Sequence, residues 1–105
     1  MVEIHLYGKL RRYGKGRGSD DENVILINPV DGDTISSLLF KTGIPVDDIY
    51  HVFFNWKLLS THNTMAGTLG YRQARENPND WDLSVPVKAG DRIGLFGTDM
   101  SALVV

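Results

Sequence analysis

The sequence predicts a small α+β domain, in which a mixed sheet of about five strands carries one main helix across one face. Three observations predict this. Apolar residues either alternate with polar ones or gather in short β-branched and aromatic runs around Ile4, Ile25, Val52, Leu58 and Ile93, which is how strands read. A single stretch, residues 34–42, spaces its apolar residues at the helical period. The 105 residues suffice for one core and no more, since cores divide only beyond roughly 250 residues, so 1–105 is read as one domain.

Val2, Ile4 and Leu6 point one way and Glu3, His5 and Tyr7 the other, which makes the first strand a ribbon with one buried face. Residues 8–22 mix glycines with five basic residues and Asp20, Asp21 and Glu22, and are expected to form an exposed hairpin loop. The run 23–28 is the second strand, and Pro29 stops it. Asp33 or Thr34 then caps a helix that starts at about residue 34. It buries Ile35, Leu38, Leu39 and Thr42, runs about three turns and stops at Gly43 and Pro45. Residues 50–56 are the third strand, Leu58 and Leu59 a short fourth, and residues 92–96 the fifth, entered through the turn Lys88-Ala89-Gly90-Asp91. One helix among these strands has only one sheet face to cover.

Composition narrows the chemistry. The chain has no cysteine, which excludes disulfides, thiolate nucleophiles and cysteine-bound metal clusters. A formal charge of -2 makes the molecule as a whole no polyanion binder, so any basic site must be local. The beginning of the chain alternates where a leader would be continuously apolar, and the chain reads as a cytoplasmic protein without a membrane span. His5, His51 and His62 lack the spacing that would converge them on a metal; His5 and His51 are expected on strands, in a surface or sheet-face role. No Gly-x-Ser-x-Gly elbow or nucleophile-base pair is present, so the chain is read as no enzyme, with no cofactor of its own.

Two segments have the composition of contact surfaces. Residues 9–17 hold Lys9, Arg11, Arg12, Lys15 and Arg17 among glycines and Tyr13, which suits a phosphate or RNA backbone, although no helix start follows as a nucleotide loop requires. Residues 61–81 contain Tyr71, Arg72, Arg75 and Trp81, the residue types that dominate binding hot spots. That segment reads either as a partner-binding insertion or as a surface excursion pinned by Trp81, with a short helix expected over 69–77.

Residues 2–11, 31–39, 52–59 and 87–96, in this order and spacing, resemble the ubiquitin-like β-grasp family that includes the molybdopterin synthase small subunit and the thiamine sulfur carrier (MoaD/ThiS). The similarity is greatest in Val87-Lys88-Ala89-Gly90-Asp91-Arg92-Ile93-Gly94-Leu95-Phe96, with Gly32-Asp33-Thr34-Ile35 matching the family's helix entry and Phe54-Asn55 and Arg11 matching further positions. In that family a tail ending in Gly-Gly is adenylated by a partner and converted to a thiocarboxylate. Glycine gives such a tail access to a narrow channel. Here Ser101-Ala102 occupy the glycine positions and Leu103-Val104-Val105 follow. The resemblance therefore implies a non-catalytic, protein-binding subunit of molybdopterin, tungstopterin or thiamine biosynthesis. Its expected partner is a larger protein, an adenylating enzyme or a pterin-cofactor enzyme subunit, and not nucleic acid or membrane. The expected contacts are the tail Met100, Ser101, Ala102, Leu103, Val104 and Val105, together with the insertion. Two alternatives stay open: a true sulfur carrier activated at its C-terminus, and a small RNA or nucleotide binder using residues 9–17.

Overall fold

Alternation at the start of the chain gives β1 (Val2–Tyr7), in which Val2, Ile4 and Leu6 are fully buried and Glu3 faces water. β2 (Val24–Ile27), α1 (Ile35–Thr42), β3 (Ile49–Phe54), β4 (Lys57–Thr61) and β5 (Arg92–Gly97) follow in the computed structural model, which describes residues 1–14, 23–63, 73–75 and 77–100. The strands form one mixed sheet in the order β2-β1-β5-β3-β4. β1 and β5 run parallel at its centre, and every other neighbouring pair is antiparallel. Ile4 stands opposite Ile93 and Leu6 opposite Leu95. These four side chains join Ile35, Leu38 and Leu39 of α1 in one buried cluster, so the helix covers that face of the sheet. The expected α+β arrangement is present.

The helix is shorter than its expected three turns. Its eight residues make about two. At its start Thr34 is the cap, in extended conformation: its Oγ1 accepts from the Ser37 N–H at 3.1 Å while the Thr34 N–H donates to Ser37 Oγ at 2.8 Å. The Ile35 and Ser36 amides, which no helical carbonyl reaches, donate to the carbonyls of Val85 and Leu83. At its end Gly43 adopts φ 75°, its N–H reaching the Phe40 carbonyl, and the Ile44 N–H reaches the Leu39 carbonyl at 3.1 Å. This Schellman arrangement brings buried Ile44 back beside buried Leu39 and ends the helix at the expected glycine.

Asp33, the other expected cap, is a clasp. Its buried carboxylate accepts from the Val30 N–H, from Ser37 Oγ and from Lys41 Nζ, all within 2.9 Å. The lysine hydrogen bond, followed by those from Val30 and Ser37, pulls its pKa from 3.8 down to about 2. The folded state therefore binds this proton less readily than the unfolded chain. The clasp contributes its full stabilisation above about pH 4 and loses it as the pH falls toward about 2. Thermal unfolding followed from neutral pH down to about pH 2 should show a shallower acid decline in Asp33→Asn than in the parent chain.

Other expectations need correction. The loop over residues 8–22 is not wholly exposed: Gly8–Gly14 is a 3-10 helix that buries Leu10 completely. Leu10 alone has no periodicity to betray it. The third strand stops at Phe54, because Asn55 and Trp56 form a two-residue turn with φ 50° and 71°. The fourth strand is longer than Leu58 and Leu59, running Lys57–Thr61. Of the helix expected over 69–77, residues 73–75 instead run beside β4, with Gln73 bridging Leu58 and the Ala74 N–H on the Leu58 carbonyl; the other described residue of that span, Asn77, is outside any helix. His51, expected in a surface or sheet-face role, is on the sheet beside Phe96 but not at a surface: it is fully buried with Nδ1 2.7 Å from Thr61 Oγ1.

Candidate interaction face

Period-two geometry sends Ile93 and Leu95 of β5 toward α1 and Arg92, Gly94 and Phe96 to the opposite face. The register places Glu3 beside Arg92, His5 beside Gly94 and Tyr7 beside Phe96. Tyr7 and Phe96 stack with ring centroids 4.5 Å apart, and Phe53 of β3 tilts against Phe96 at 5.5 Å. Gly94 lies under them: a Cβ there would rest in ordinary contact with Phe53 and Tyr7.

Arg92 organises the polar end of this face. One Nη lies 2.6 Å from His5 Nε2, the other donates to the Tyr7 hydroxyl at 3.1 Å, and the guanidinium rests 3.8 Å from the Trp56 ring centroid. His5 Nε2 is also 2.8 Å from Glu3 Oε1. One ring nitrogen serves one of these partners at a time: with its lone pair it accepts from Arg92, with a proton it donates to Glu3. The hydrogen bond from His5, and then the positive charges around it, hold the Glu3 carboxyl below its usual range.

The turn that carries Trp56 is tied down on both sides. The Asn55 N–H donates to the Arg92 carbonyl, the Arg92 N–H to Asn55 Oδ1, and Asn55 Nδ2 to Asp91 Oδ1. Asp91 in turn accepts from the Lys88 N–H at 2.9 Å and so closes the turn in which Gly90 takes φ 95°. Phe54-Asn55 and Gly90-Asp91, far apart in sequence, thus form one junction. A shallow cleft lined by Phe54, Asn55, Pro86, Val87, Lys88 and Asp91 opens beside it.

The sequence-derived candidates are distributed elsewhere. β5 leads into a 3-10 helix, Thr98–Met100, whose Asp99 carboxylate accepts the Lys9 N–H with both oxygens at 3.1 Å. The tail therefore leaves the sheet pinned against residues 8–14. Met100 closes that helix; Ser101, Ala102, Leu103, Val104 and Val105 lie outside the described residues, as do Tyr71, Arg72, Lys15 and Arg17. Arg75 donates to the carbonyls of Asp80 and Asp82 and pairs with the Asp80 carboxylate at 3.3 Å. Trp81 packs against the core, stacks on His62 at 4.2 Å and donates from Nε1 to the Thr61 carbonyl. Both are committed to internal contacts. So are the described basic residues of 9–17: Arg12 and Tyr13 hold Asp48, Lys9 stands 3.7 Å from it, and Arg11 donates to Asn23. The Tyr13 hydrogen bond, followed by the charges of Lys9 and Arg12, lowers the Asp48 pKa.

Sequence reasoning placed His5 and Tyr7 on an outward face but missed Trp56 and Arg92 as partners. Their one signal was a Trp directly after Phe54-Asn55, at a position where glycine is the favoured turn residue. Among the described residues no group of three or more His, Asp or Glu side chains is placed to hold a metal ion, and no helix is long and apolar enough to cross a membrane. No family model, curated protein or solved structure matches this chain.

Proposed function

We propose that the chain is a β-grasp protein of the sulfur-carrier type that works as a non-catalytic, cytoplasmic, protein-binding subunit in molybdopterin, tungstopterin or thiamine biosynthesis, without carrying sulfur itself. The observation that supports this most is the position of β5. It lies at the centre of a five-stranded mixed sheet, beside β1 and gripped from one side by a single helix, so the segment after it leaves from the middle of the domain. That is where a tail can enter a partner while the sheet face docks beside it. Ser101 and Ala102 at the glycine positions, with β-branched Val104 and Val105 after Leu103, crowd the backbone that activation would need to approach. The internal commitments of Lys9, Arg11 and Arg12 support a nucleic-acid role less well.

The test is activation. The full chain is incubated with a cognate adenylating enzyme of this type, ATP and a sulfur donor, and its intact mass is measured. The Val105 carboxylate is expected to stay unmodified. An adenylate or thiocarboxylate on it would replace this reading with direct carriage.

A further inference from the structure

Trp56 sits where the backbone resists it. Its φ of 71° lies in the left-handed region, where a bulky side chain is an outlier and where two-residue hairpin turns favour glycine. Yet the ring is not there to fill a core, because Trp56 is 73% exposed. Strain of this kind persists where surrounding structure enforces it, and here the Asn55, Asp91 and Arg92 hydrogen bonds do so. What the strain achieves is an indole laid against Arg92 at the rim of the sheet face.

Arg92 is the second anomaly. The residue is half-buried, and its two side-chain hydrogen bonds go to His5 Nε2 and Tyr7 Oη, neither of them a carboxylate. Among the described residues it has no ion pair with a carboxylate; Arg11, Lys57 and Lys88 have none either, but those three are exposed and Arg92 is not. Glu3, its register neighbour, competes with it for His5 Nε2, and when that nitrogen donates to Glu3 the guanidinium has one more unused donor. A guanidinium has five N–H donors in a fixed fork, so Arg92 keeps donors that its internal bonds do not use. It is held in place, partly desolvated and stacked on one side, which are the conditions under which an incoming carboxylate gains most.

We propose that Trp56 and Arg92 form a receptor for a carboxylate on a partner protein: an Asp or Glu side chain pairs with the guanidinium while an adjacent apolar side chain packs on the indole and on the neighbouring Tyr7–Phe96 stack. This rests on the reading of the chain as a protein-binding subunit and specifies the chemistry of its partner. A protein segment fits better than a nucleic acid, because the face offers one strong cation beside the Glu3 carboxylate on a chain of net charge -2. A polyanion needs several cations to neutralise its phosphates, whereas a single acidic side chain needs one.

The test uses the full chain, immobilised and panned against a random peptide display library. Selected peptides should be enriched in Asp or Glu next to an aromatic or aliphatic residue, and Arg92→Gln should weaken them about tenfold to a hundredfold, as for loss of a charge-assisted hydrogen-bonded pair. Arg92→Glu should select Lys or Arg instead. Trp56→Gly separates binding from folding: glycine relieves the positive φ, so the melting temperature should hold or rise while the same peptides bind at least about tenfold more weakly. A variant that lost stability and kept its affinity would make Trp56 a structural residue and overturn the proposal. Peptides without acidic residues that bind Arg92→Gln as well as the parent would also overturn it, yet leave a protein-binding role standing. Failure to select any peptide would count against both. A single-stranded oligouridine that binds the parent chain with steep salt dependence, and is lost in Trp56→Gly, would overturn both in favour of nucleic acid.

Discussion

Replacing Leu38 by alanine is expected to lower the stability of the fold by about 2–5 kcal/mol, the range for deleting most of a fully buried aliphatic side chain and leaving a cavity behind. Leu38 has no exposed surface and lies where α1 meets the sheet, in the cluster that contains Ile4, Leu6, Ile93 and Leu95. The neighbouring helix residue Phe40 provides the control. It is 88% exposed, so Phe40→Ala should change stability by no more than about 0.5 kcal/mol despite the larger side chain. Denaturant unfolding of both variants with unchanged slope checks the pair. Near-equal losses would mean that the helix presents a different face to the sheet.

That helix face was legible because its spacing is its mechanism: Ile35, Leu38, Leu39 and Thr42 are all buried, as their period requires. β1 was legible for the same reason at period two. Leu10 was not, because one apolar residue between Lys9 and Arg11 has no periodicity and its burial depends on a 3-10 turn folding back under the sheet. The end of β3 was misread because Trp belongs by propensity to strands, and only the hydrogen bonds of Asn55 with Asp91 and Arg92 turn the chain there. The candidate site was the least legible part. Trp56 and Arg92 come from different strand ends, and nothing local in either segment declares that sheet register will bring an indole onto a guanidinium.

Trp81→Ala carries the second large effect, about 3 kcal/mol, at the lower end of the range for tryptophan truncation because the side chain is half-buried. The indole fills the side of the core, stacks on His62 and donates to Thr61. Around it, the Thr61 N–H donates to the Pro78 carbonyl and Asn79 donates to the carbonyls of Thr61 and Asn63. This cover keeps β4 from presenting a bare edge to other chains. Just downstream, Leu83 and Val85 supply carbonyls to the first amides of α1. Thermal and denaturant unfolding would measure the loss. A change under about 1 kcal/mol would return Trp81 to the role of a surface contact.

The parallel pairing of β1 with β5 also governs how the molecule is made. Glu3 and Arg92 become neighbours although most of the chain lies between them, and such long-range pairing raises the contact order, which across small domains goes with slower folding. β5 is synthesised after every other strand of the sheet and then has to enter between β1 and β3. Until it emerges from the ribosome, the inner edges of β1 and β3 lack the strand that pairs with both, although α1 is already made. Unpaired strand edges are what make folding intermediates prone to aggregate. The interval ends only when the strand bearing Arg92 slots into the gap, so the proposed receptor is assembled in the same step that completes the fold.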